Sequence, residues 1–233
     1  MVIGVFILLL AIFLVVMAVT FLRTGDLEQA LVAPESNQAL LAWVSSLLVG
    51  LVVLFTIWYL GLRPTGGSFA LLGLRTTSMP AGRAALWAIG ALFLSLGATA
   101  LYSFIMEWIG VDWLLPPENY GDIVFDGPAV VLTFLALALW TPLTEELFFR
   151  GFIFAGLVHR RGVGRALVFS AVIFSLFHLL AGPGVLIPIF ITGFLLAWLY
   201  HRTGSLWPSI AAHAGQNGAA LLAAIYGPSL SLS

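Results

Sequence analysis

Runs of about 20 apolar residues recur along the chain, separated by short segments that carry most of the charges. A helix that crosses a bilayer needs roughly 20 mostly apolar residues. By this measure the 233 residues contain seven candidate spans, near residues 2–22, 39–61, 84–106, 128–158, 166–181, 185–201 and 206–226. The pattern predicts an all-α, polytopic membrane bundle with about seven transmembrane helices, or eight if the long fourth span divides at Pro142.

The composition indicates the same environment. Hydrophobic residues make up 61% of the chain and charged residues only 8%, whereas about 25% is usual for soluble domains. The absence of cysteine excludes disulfides, iron–sulfur clusters and a thiol nucleophile. All nine basic residues are arginine, which excludes a Schiff base on lysine, and a net charge of −1 gives no indication of a nucleic-acid partner. The lipid bilayer is the expected surrounding.

The distribution of charge predicts an orientation. Basic residues in short loops mark the cytoplasmic side of a membrane protein. Three loops on one side of the seven-span arrangement contain seven of the nine arginines and no acidic residue: Arg63, Arg75, Arg83, Arg160, Arg161, Arg165 and Arg202. The sequence therefore predicts a multi-pass integral membrane protein with a cytoplasmic N-terminus.

Three charged residues remain inside a predicted span. Glu145, Glu146 and Arg150 would each cost about 2.5–3.5 kcal/mol at the centre of a membrane helix. Glu146 and Arg150 have the i,i+4 spacing and order of a favourable helical ion pair, whereas Glu145 lies about 100° around the helix without a local partner. Pro142 cannot donate to the carbonyl of Ala138, so we expect a bend beside these carboxylates.

Two histidines also lie within predicted spans. His178 follows Phe174 by one helical turn, and His213 precedes Asn217 by one turn. At 1.5 Å per residue, Glu146 and His178 both lie roughly 20 Å from the cytoplasmic ends of their spans. His213 and Asn217 lie at roughly 12 and 18 Å. If the helices meet, these polar side chains occupy overlapping depths.

These residue types suit the hydrolysis of a peptide bond. A carboxylate in an apolar setting can act as a general base near neutral pH, a neutral histidine can orient water or bind a metal, and asparagine supplies an amide donor. Together they can activate water and stabilise a tetrahedral intermediate. Two histidines and one glutamate are also a known catalytic zinc set. Glu145, His178 and His213 are therefore candidate ligands of a divalent metal such as zinc.

Other membrane-protease chemistries fit poorly. The chain has no His-Glu-x-x-His zinc motif. No aspartate lies within a predicted span to form an aspartyl dyad. Ser170 and Ser175 do lie within one, but neither stands in a Gly-x-Ser-x-Gly setting. A serine nucleophile is therefore unsupported.

Three motifs stand in order on separate spans: Glu145-Glu146-Leu-Phe-Phe-Arg150, Phe174-x-x-x-His178 and His213-x-x-x-Asn217. Together they resemble the motifs of the CPBP family, which comprises the type II CAAX prenyl endopeptidases and bacterial relatives known as Abi or bacteriocin-immunity proteins. The resemblance covers about residues 127–226. We therefore predict a motif-free N-terminal part, 1–126, and a CPBP-like catalytic core, 127–226, packed as one membrane domain.

The resemblance implies an intramembrane endopeptidase whose active site opens toward the cytoplasm. Its substrates would be membrane-anchored or prenylated peptides and proteins, cleaved near the C-terminus. By the same resemblance, Glu145 is the base that activates water, and His178 holds that water or a metal. His213 and Asn217 stabilise the oxyanion or complete a metal site. A metal-dependent and a metal-free glutamate mechanism both remain open.

The remaining motif residues have less direct roles by this resemblance. Glu146 belongs to the catalytic set and shapes the pocket together with Arg150. Arg150 is a candidate contact for a substrate carboxylate, and Phe174 is a second candidate for substrate binding. The alternative for Glu146 and Arg150 is a purely structural ion pair.

Two other functions fit parts of the pattern. A noncatalytic immunity or scaffold protein of the same fold would need the polar cluster for stability alone. A small transporter would also carry buried carboxylates. Carriers often contain two related halves with matching helix breaks, whereas this chain shows one clear break, at Pro142. The transporter therefore ranks last.

Overall fold

The computed structural model describes residues 35–116 and 123–230, and this part of the chain consists of helices and turns without strands. The side chains described are those of residues 38–116 and 123–227. The predicted all-α class is confirmed. Six main helices within the described ranges build the bundle: α1 (Glu35–Ile57), α2 (Ala81–Trp108), α3 (Gly127–Arg161), α4 (Val163–Phe177), α5 (Leu186–Thr203) and α6 (Trp207–Leu230).

Four helices of the described residues are long and apolar enough to cross a membrane: Gln38–Thr65, Ala81–Trp108, Gly127–Arg161 and Pro183–Thr203. α4 is apolar but only 15 residues long. α6 has the length, but polar residues such as His213 and Asn217 interrupt its apolar sequence. The predicted span 2–22 lies outside the described residues. The chain is thus an integral membrane protein, while the count of seven spans and the orientation stay predictions.

The outer surface of α2 shows how the bundle meets lipid. Leu86, Phe93 and Phe104 are 71%, 67% and 64% exposed, which suits a face surrounded by acyl chains. The opposite face buries small residues, among them Ala88 and Ser95. Small residues let membrane helices approach one another closely, and this face brings α2 against α5 and α6.

α3 remains one continuous helix through Pro142, so the predicted division into two spans does not occur within the described residues. The helix instead widens. It takes π-helical form over Phe134–Trp140, returns to α-helical form over Thr141–Glu146, and widens again over Leu147–Phe154. A π-helical turn accommodates a missing backbone hydrogen bond without breaking the helix.

α4 ends earlier than the predicted span 166–181. Its last residue is Phe177, and His178 occupies the C-terminal cap with φ −97° and ψ 8°. Short 3₁₀ turns follow on both sides of Gly182, whose φ of 106° favours glycine. His178 therefore caps the end of α4, and the 3₁₀ turn Leu179–Ala181 completes the predicted span 166–181.

Candidate active site

Glu145 and Glu146 are neighbours in α3, but they enter different environments. Consecutive helical residues point about 100° apart. The Glu146 side chain is fully buried, at 0% exposure, whereas the Glu145 side chain is 23% exposed. α3 thereby sends one carboxylate into the bundle and leaves the other beside an accessible space.

The buried carboxylate belongs to an ion pair with further polar contacts. Arg150 Nη1 lies 2.9 Å from Glu146 Oε1, and both side chains are 0% exposed. Arg150 Nη2 donates to the backbone carbonyl of Gly193 at 3.2 Å, and its guanidinium carbon lies 4.3 Å from the ring centroid of Phe174. His213 Nδ1 lies 2.9 Å from the same Glu146 oxygen. These contacts offset the cost of burying two charges.

The hydrogen bonds of the two histidines set their tautomers. His213 Nδ1 faces a carboxylate oxygen paired with Arg150, so the neutral ring donates from Nδ1. His178 Nδ1 lies 2.9 Å from the carbonyl oxygen of Phe174 and donates in the same way. The Nε2 atom of each neutral ring therefore carries a lone pair. Both lone pairs face Glu145: His213 Nε2 is 3.7 Å from Oε2, and His178 Nε2 is 4.0 Å from Oε1.

Three acceptors thus converge on one small volume. Distances of 3.7 and 4.0 Å are too long for direct hydrogen bonds, and Glu145 Oε2 is buried without a hydrogen-bond partner in the described part of the chain. Facing acceptors need a donor between them. A water molecule beside these atoms can donate one hydrogen to the carboxylate and the other to an imidazole. The arrangement therefore suits the binding and deprotonation of water.

The same residues were expected to bind zinc. Tetrahedral zinc with ligands at about 2.0–2.1 Å holds neighbouring ligand atoms about 3.4 Å apart. The Glu145–histidine separations of 3.7 and 4.0 Å are wider, and no three His, Asp or Glu side chains of the described ranges are placed to hold a metal ion. The residue types fit zinc but their spacing does not, so zinc binding stays a prediction.

Asn217 compensates for the proline in α3. Within the π-helical segment, backbone N–H groups reach carbonyls five residues back, as Thr141 does to Ala136. The next carbonyl, that of Leu137, would pair with Pro142, which has no N–H. Asn217 Nδ2 donates to this carbonyl at 2.8 Å. The motif asparagine therefore joins α6 to the widened turn of α3 that carries the glutamates.

We expect Asn217→Ala and Pro142→Ala to be coupled in stability. Asn217→Ala alone should cost about 1–3 kcal/mol, because a part-buried carbonyl loses its donor. In the Pro142→Ala background the backbone supplies a donor to Leu137, so the cost should fall by at least about 0.5 kcal/mol. A double-mutant cycle of unfolding free energies in detergent measures this difference.

Thr56→Val is the control for that cycle. Its hydroxyl bonds the carbonyl of Val52 within α1, so its effect should add to that of Pro142→Ala. Additivity of Asn217→Ala with Pro142→Ala would contradict the compensation between proline and asparagine.

A small apolar cavity lies against Glu145, and sequence reasoning did not reveal it. α1 contributes much of its wall and is held to α3 by the Trp140 indole, whose Nε1 donates to the carbonyl of Ser46 at 3.1 Å. Valines in an apolar span carry no signal that separates a cavity wall from a lipid-facing surface. The other lining residues are Val49, Val52, Val53, Phe148, Phe149 and Phe177.

The structure brings together most of the predicted site residues. Glu145, Glu146, His178 and His213 form one cluster, and Asn217 lies one turn along α6 from His213. The side chains expected to contact substrate have interior positions instead. Arg150 is 0% exposed and Phe174 2%, and both pack inside the bundle, where they contact each other, the cluster and Phe149. Their predicted substrate-binding role stays a prediction.

Comparisons with known proteins agree with the motifs. Residues 127–219 match the family model described as type II CAAX prenyl endopeptidase Rce1-like. The chain is 32% identical over 139 residues to the "Putative membrane peptidase YdiL" of Bacillus subtilis (strain 168), which covers 58% of this chain and 54% of that protein. This chain thus spans about half of that relative.

A second relative is also of bacterial origin. The chain is 25% identical over 132 residues to the "UPF0177 protein YxdF" of Lactococcus lactis subsp. lactis (strain IL1403), which covers 56% of this chain and 72% of that protein. No solved structure matches the chain. The segment that the family model matches contains α3, α4, α5 and the first half of α6, and it includes all three motifs.

Proposed function

This chain is a protein of the CPBP family through residues 127–219, and we propose that it is an intramembrane CAAX-type endopeptidase that activates water with Glu145. One observation carries the proposal. The half-buried carboxylate of Glu145 faces the Nε2 atoms of His178 and His213, and both rings have their Nδ1 atoms engaged by other acceptors. A carboxylate with two oriented imidazoles is suited to general-base catalysis.

In the proposed reaction, a water molecule lies between Glu145 and the two imidazoles. Glu145 takes one proton of the water, while the water oxygen forms a bond to the carbonyl carbon of the scissile peptide. His178 Nε2 accepts the other hydrogen of the water and fixes its orientation. Collapse of the tetrahedral intermediate breaks the C–N bond, and Glu145 returns the proton to the leaving amine. The products are an amine and a carboxylic acid, which releases its remaining proton to solvent and becomes a carboxylate.

His213 is the side chain that we assign to the oxyanion. It lies between Glu145 and Glu146, with Nδ1 2.9 Å from Glu146. In its imidazolium form the ring donates from both nitrogens, from Nδ1 to Glu146 and from Nε2 toward the reacting carbonyl. Donors placed in advance on a developing oxyanion are a large source of rate enhancement. Arg150 and Glu146 act here as positioning residues, because both are fully buried.

The proposed substrates are membrane-anchored or prenylated peptides and proteins, cleaved near their C-termini. The family description, which names a CAAX prenyl endopeptidase, supports this class. The exposed apolar faces of the helices support it as well, since a lipid-anchored chain can approach through the bilayer. A cytoplasmic opening of the site and a cytoplasmic N-terminus belong to the same proposal.

A peptide assay tests the proposed activity. Purified wild-type protein in detergent should cleave peptides with a C-terminal CAAX sequence, and a farnesyl group on the cysteine should lower KM relative to the same peptide without it. The absence of cleavage by folded protein, with retained binding to a membrane partner, would favour the noncatalytic scaffold function.

Cleavage should persist in the presence of a strong metal chelator. The reason is the spacing of Glu145, His178 and His213, which exceeds that of a preformed zinc site. Rates are compared before chelation, after it, and after addition of zinc. Loss of cleavage on chelation and its return with zinc would contradict the metal-free mechanism and assign the three side chains as ligands.

A further inference from the structure

A second polar cluster lies in the bundle, outside the motifs. Ser95 of α2, Thr192 of α5 and Gln216 of α6 meet at one point, and Ser95 and Thr192 are both 3% exposed. Ser95 Oγ lies 2.6 Å from Thr192 Oγ1 and 2.8 Å from Gln216 Oε1, and Gln216 Nε2 lies 3.1 Å from Thr192 Oγ1. We call these three residues the Ser95 triad.

The direction of each hydrogen bond in the triad follows from its donors. Ser95 has one hydroxyl hydrogen and donates it to Gln216 Oε1, which can only accept. The hydroxyl of Thr192 must then donate to Ser95 Oγ. The amide of Gln216 donates to Thr192 Oγ1 and closes the ring. Each member donates once and accepts once within the ring, so three helices are joined by a closed cycle with a defined geometry.

The triad is continuous with the catalytic cluster on two helices. On α5, Thr192 directly precedes Gly193, whose carbonyl accepts from Arg150. On α6, Gln216 lies three residues after His213, and both side chains emerge from the same two turns. The path from Gly193 through Arg150 and Glu146 returns to His213 at distances of 3.2, 2.9 and 2.9 Å.

The rotation of α6 is the quantity that this arrangement controls. A side-chain atom lies about 6 Å from the axis of its helix, so a rotation of about 10° moves it by about 1 Å. The gap between His213 Nε2 and Glu145 Oε2 is 3.7 Å, and a shift of this size would change whether one water fits between them. A misplacement of about 1 Å can reduce catalysis by about 100-fold.

We propose that Ser95, Thr192 and Gln216 are positioning residues that fix the rotation of α6 and thereby aim His213 at Glu145. The motif-free helix α2 contributes to the site through Ser95. The catalytic consequence rests on the proposed function, whereas the effect on the orientation of His213 does not.

The first test removes one hydroxyl of the triad without changing side-chain shape. Thr192→Val should lower kcat by at least about 10-fold, because His213 is no longer aligned with Glu145. KM should change by less than about 2-fold, because the surface that binds the substrate is unchanged. Thr192→Ser keeps the hydroxyl and should restore wild-type kcat. Thr99→Val is the matched control on α2, since its hydroxyl bonds the carbonyl of Ser95 within that helix.

The second test reads the orientation of His213 without an activity assay. The chain has four histidines, so ¹⁵N-histidine NMR in detergent can resolve the imidazole signals, and the signal missing from His213→Gln identifies His213. Thr192→Val and Ser95→Ala should both shift the His213 signals, whereas Thr99→Val should leave them unchanged. If Thr192→Val fails to fold, the measurement on Ser95→Ala takes its place.

The outcomes separate the two proposals. If the His213 signals shift in the variants but the wild-type protein cleaves no peptide, the positioning role is supported and the endopeptidase is overturned. Unchanged His213 signals in folded Thr192→Val or Ser95→Ala would overturn the positioning role, even in an active enzyme. A fall in kcat for Thr99→Val as large as that for Thr192→Val would overturn it as well.

Discussion

Glu145→Gln should abolish peptide cleavage, with a loss of about 10²–10⁴-fold, the range typical for a missing general base. Glutamine has the shape of glutamate but cannot accept the proton of the attacking water. It also offers an amide donor to one histidine where the carboxylate offered only acceptors. Initial rates of cleavage for the wild type and the variant in the same detergent measure the loss.

The fold should survive this substitution. Glu145 makes no direct hydrogen bond with the histidines, since its closest approaches to them are 3.7 and 4.0 Å. Its Oε2 atom is buried without a hydrogen-bond partner among the described residues. With both rings neutral, removing the charge breaks no ion pair, and the thermal midpoint should stay equal or rise. Residues that serve chemistry are often unfavourable for stability.

Glu107→Gln is the control for the same chemical change. Glu107 lies in the last turn of α2 and is exposed, so both activity and stability should stay at wild-type values. A Glu145→Gln variant that keeps more than about a tenth of wild-type activity would exclude Glu145 as the base. If the variant is inactive but still binds a membrane partner, catalysis and any scaffold function are separate properties of the chain.

The spans and the charged motif residues could be predicted from the sequence, because a membrane imposes a large free-energy cost on helices of the wrong length and on unpaired charges. A bilayer sets the length of an apolar helix directly, and the predicted spans 39–61, 84–106 and 128–158 lie within the observed candidate spans. Charges such as Glu145 and Arg150 stand out because a membrane interior penalises them unless they have partners.

The partners of these polar side chains could not be predicted from the sequence, because many are backbone atoms. Arg150 donates to the carbonyl of Gly193, and Asn217 to that of Leu137. Every residue has such a carbonyl, so its identity gives no signal. The π-helical turns of α3 were not predicted either. Pro142 indicated a bend in the helix, but the sequence did not show that Asn217 would replace the missing backbone donor. Helix packing, which the sequence pattern does not specify, decides these contacts.

Arg150→Met should destabilise the protein by about 3–5 kcal/mol, the cost typical of a buried charge that loses its partner. Methionine replaces the aliphatic part of the side chain, so the loss comes mainly from Glu146. That carboxylate is 0% exposed and would retain only His213 Nδ1 as a donor. Its Oε2 atom already has no hydrogen-bond partner within the described residues. Denaturant titration in detergent measures the unfolding free energy.

Glu146→Gln combined with Arg150→Met distinguishes a lost contact from an unpaired charge. Glutamine can still accept from His213, and the double variant buries no charge at this point. It should therefore recover at least about half of the lost stability, because replacing a whole buried ion pair is often neutral whereas breaking it is not. Arg83→Met, at an exposed position in the first turn of α2, should have no measurable effect. A double variant less stable than Arg150→Met would show that the pair stabilises the bundle by direct attraction, and a wild-type stability for Arg150→Met would show that Glu146 does not need its partner.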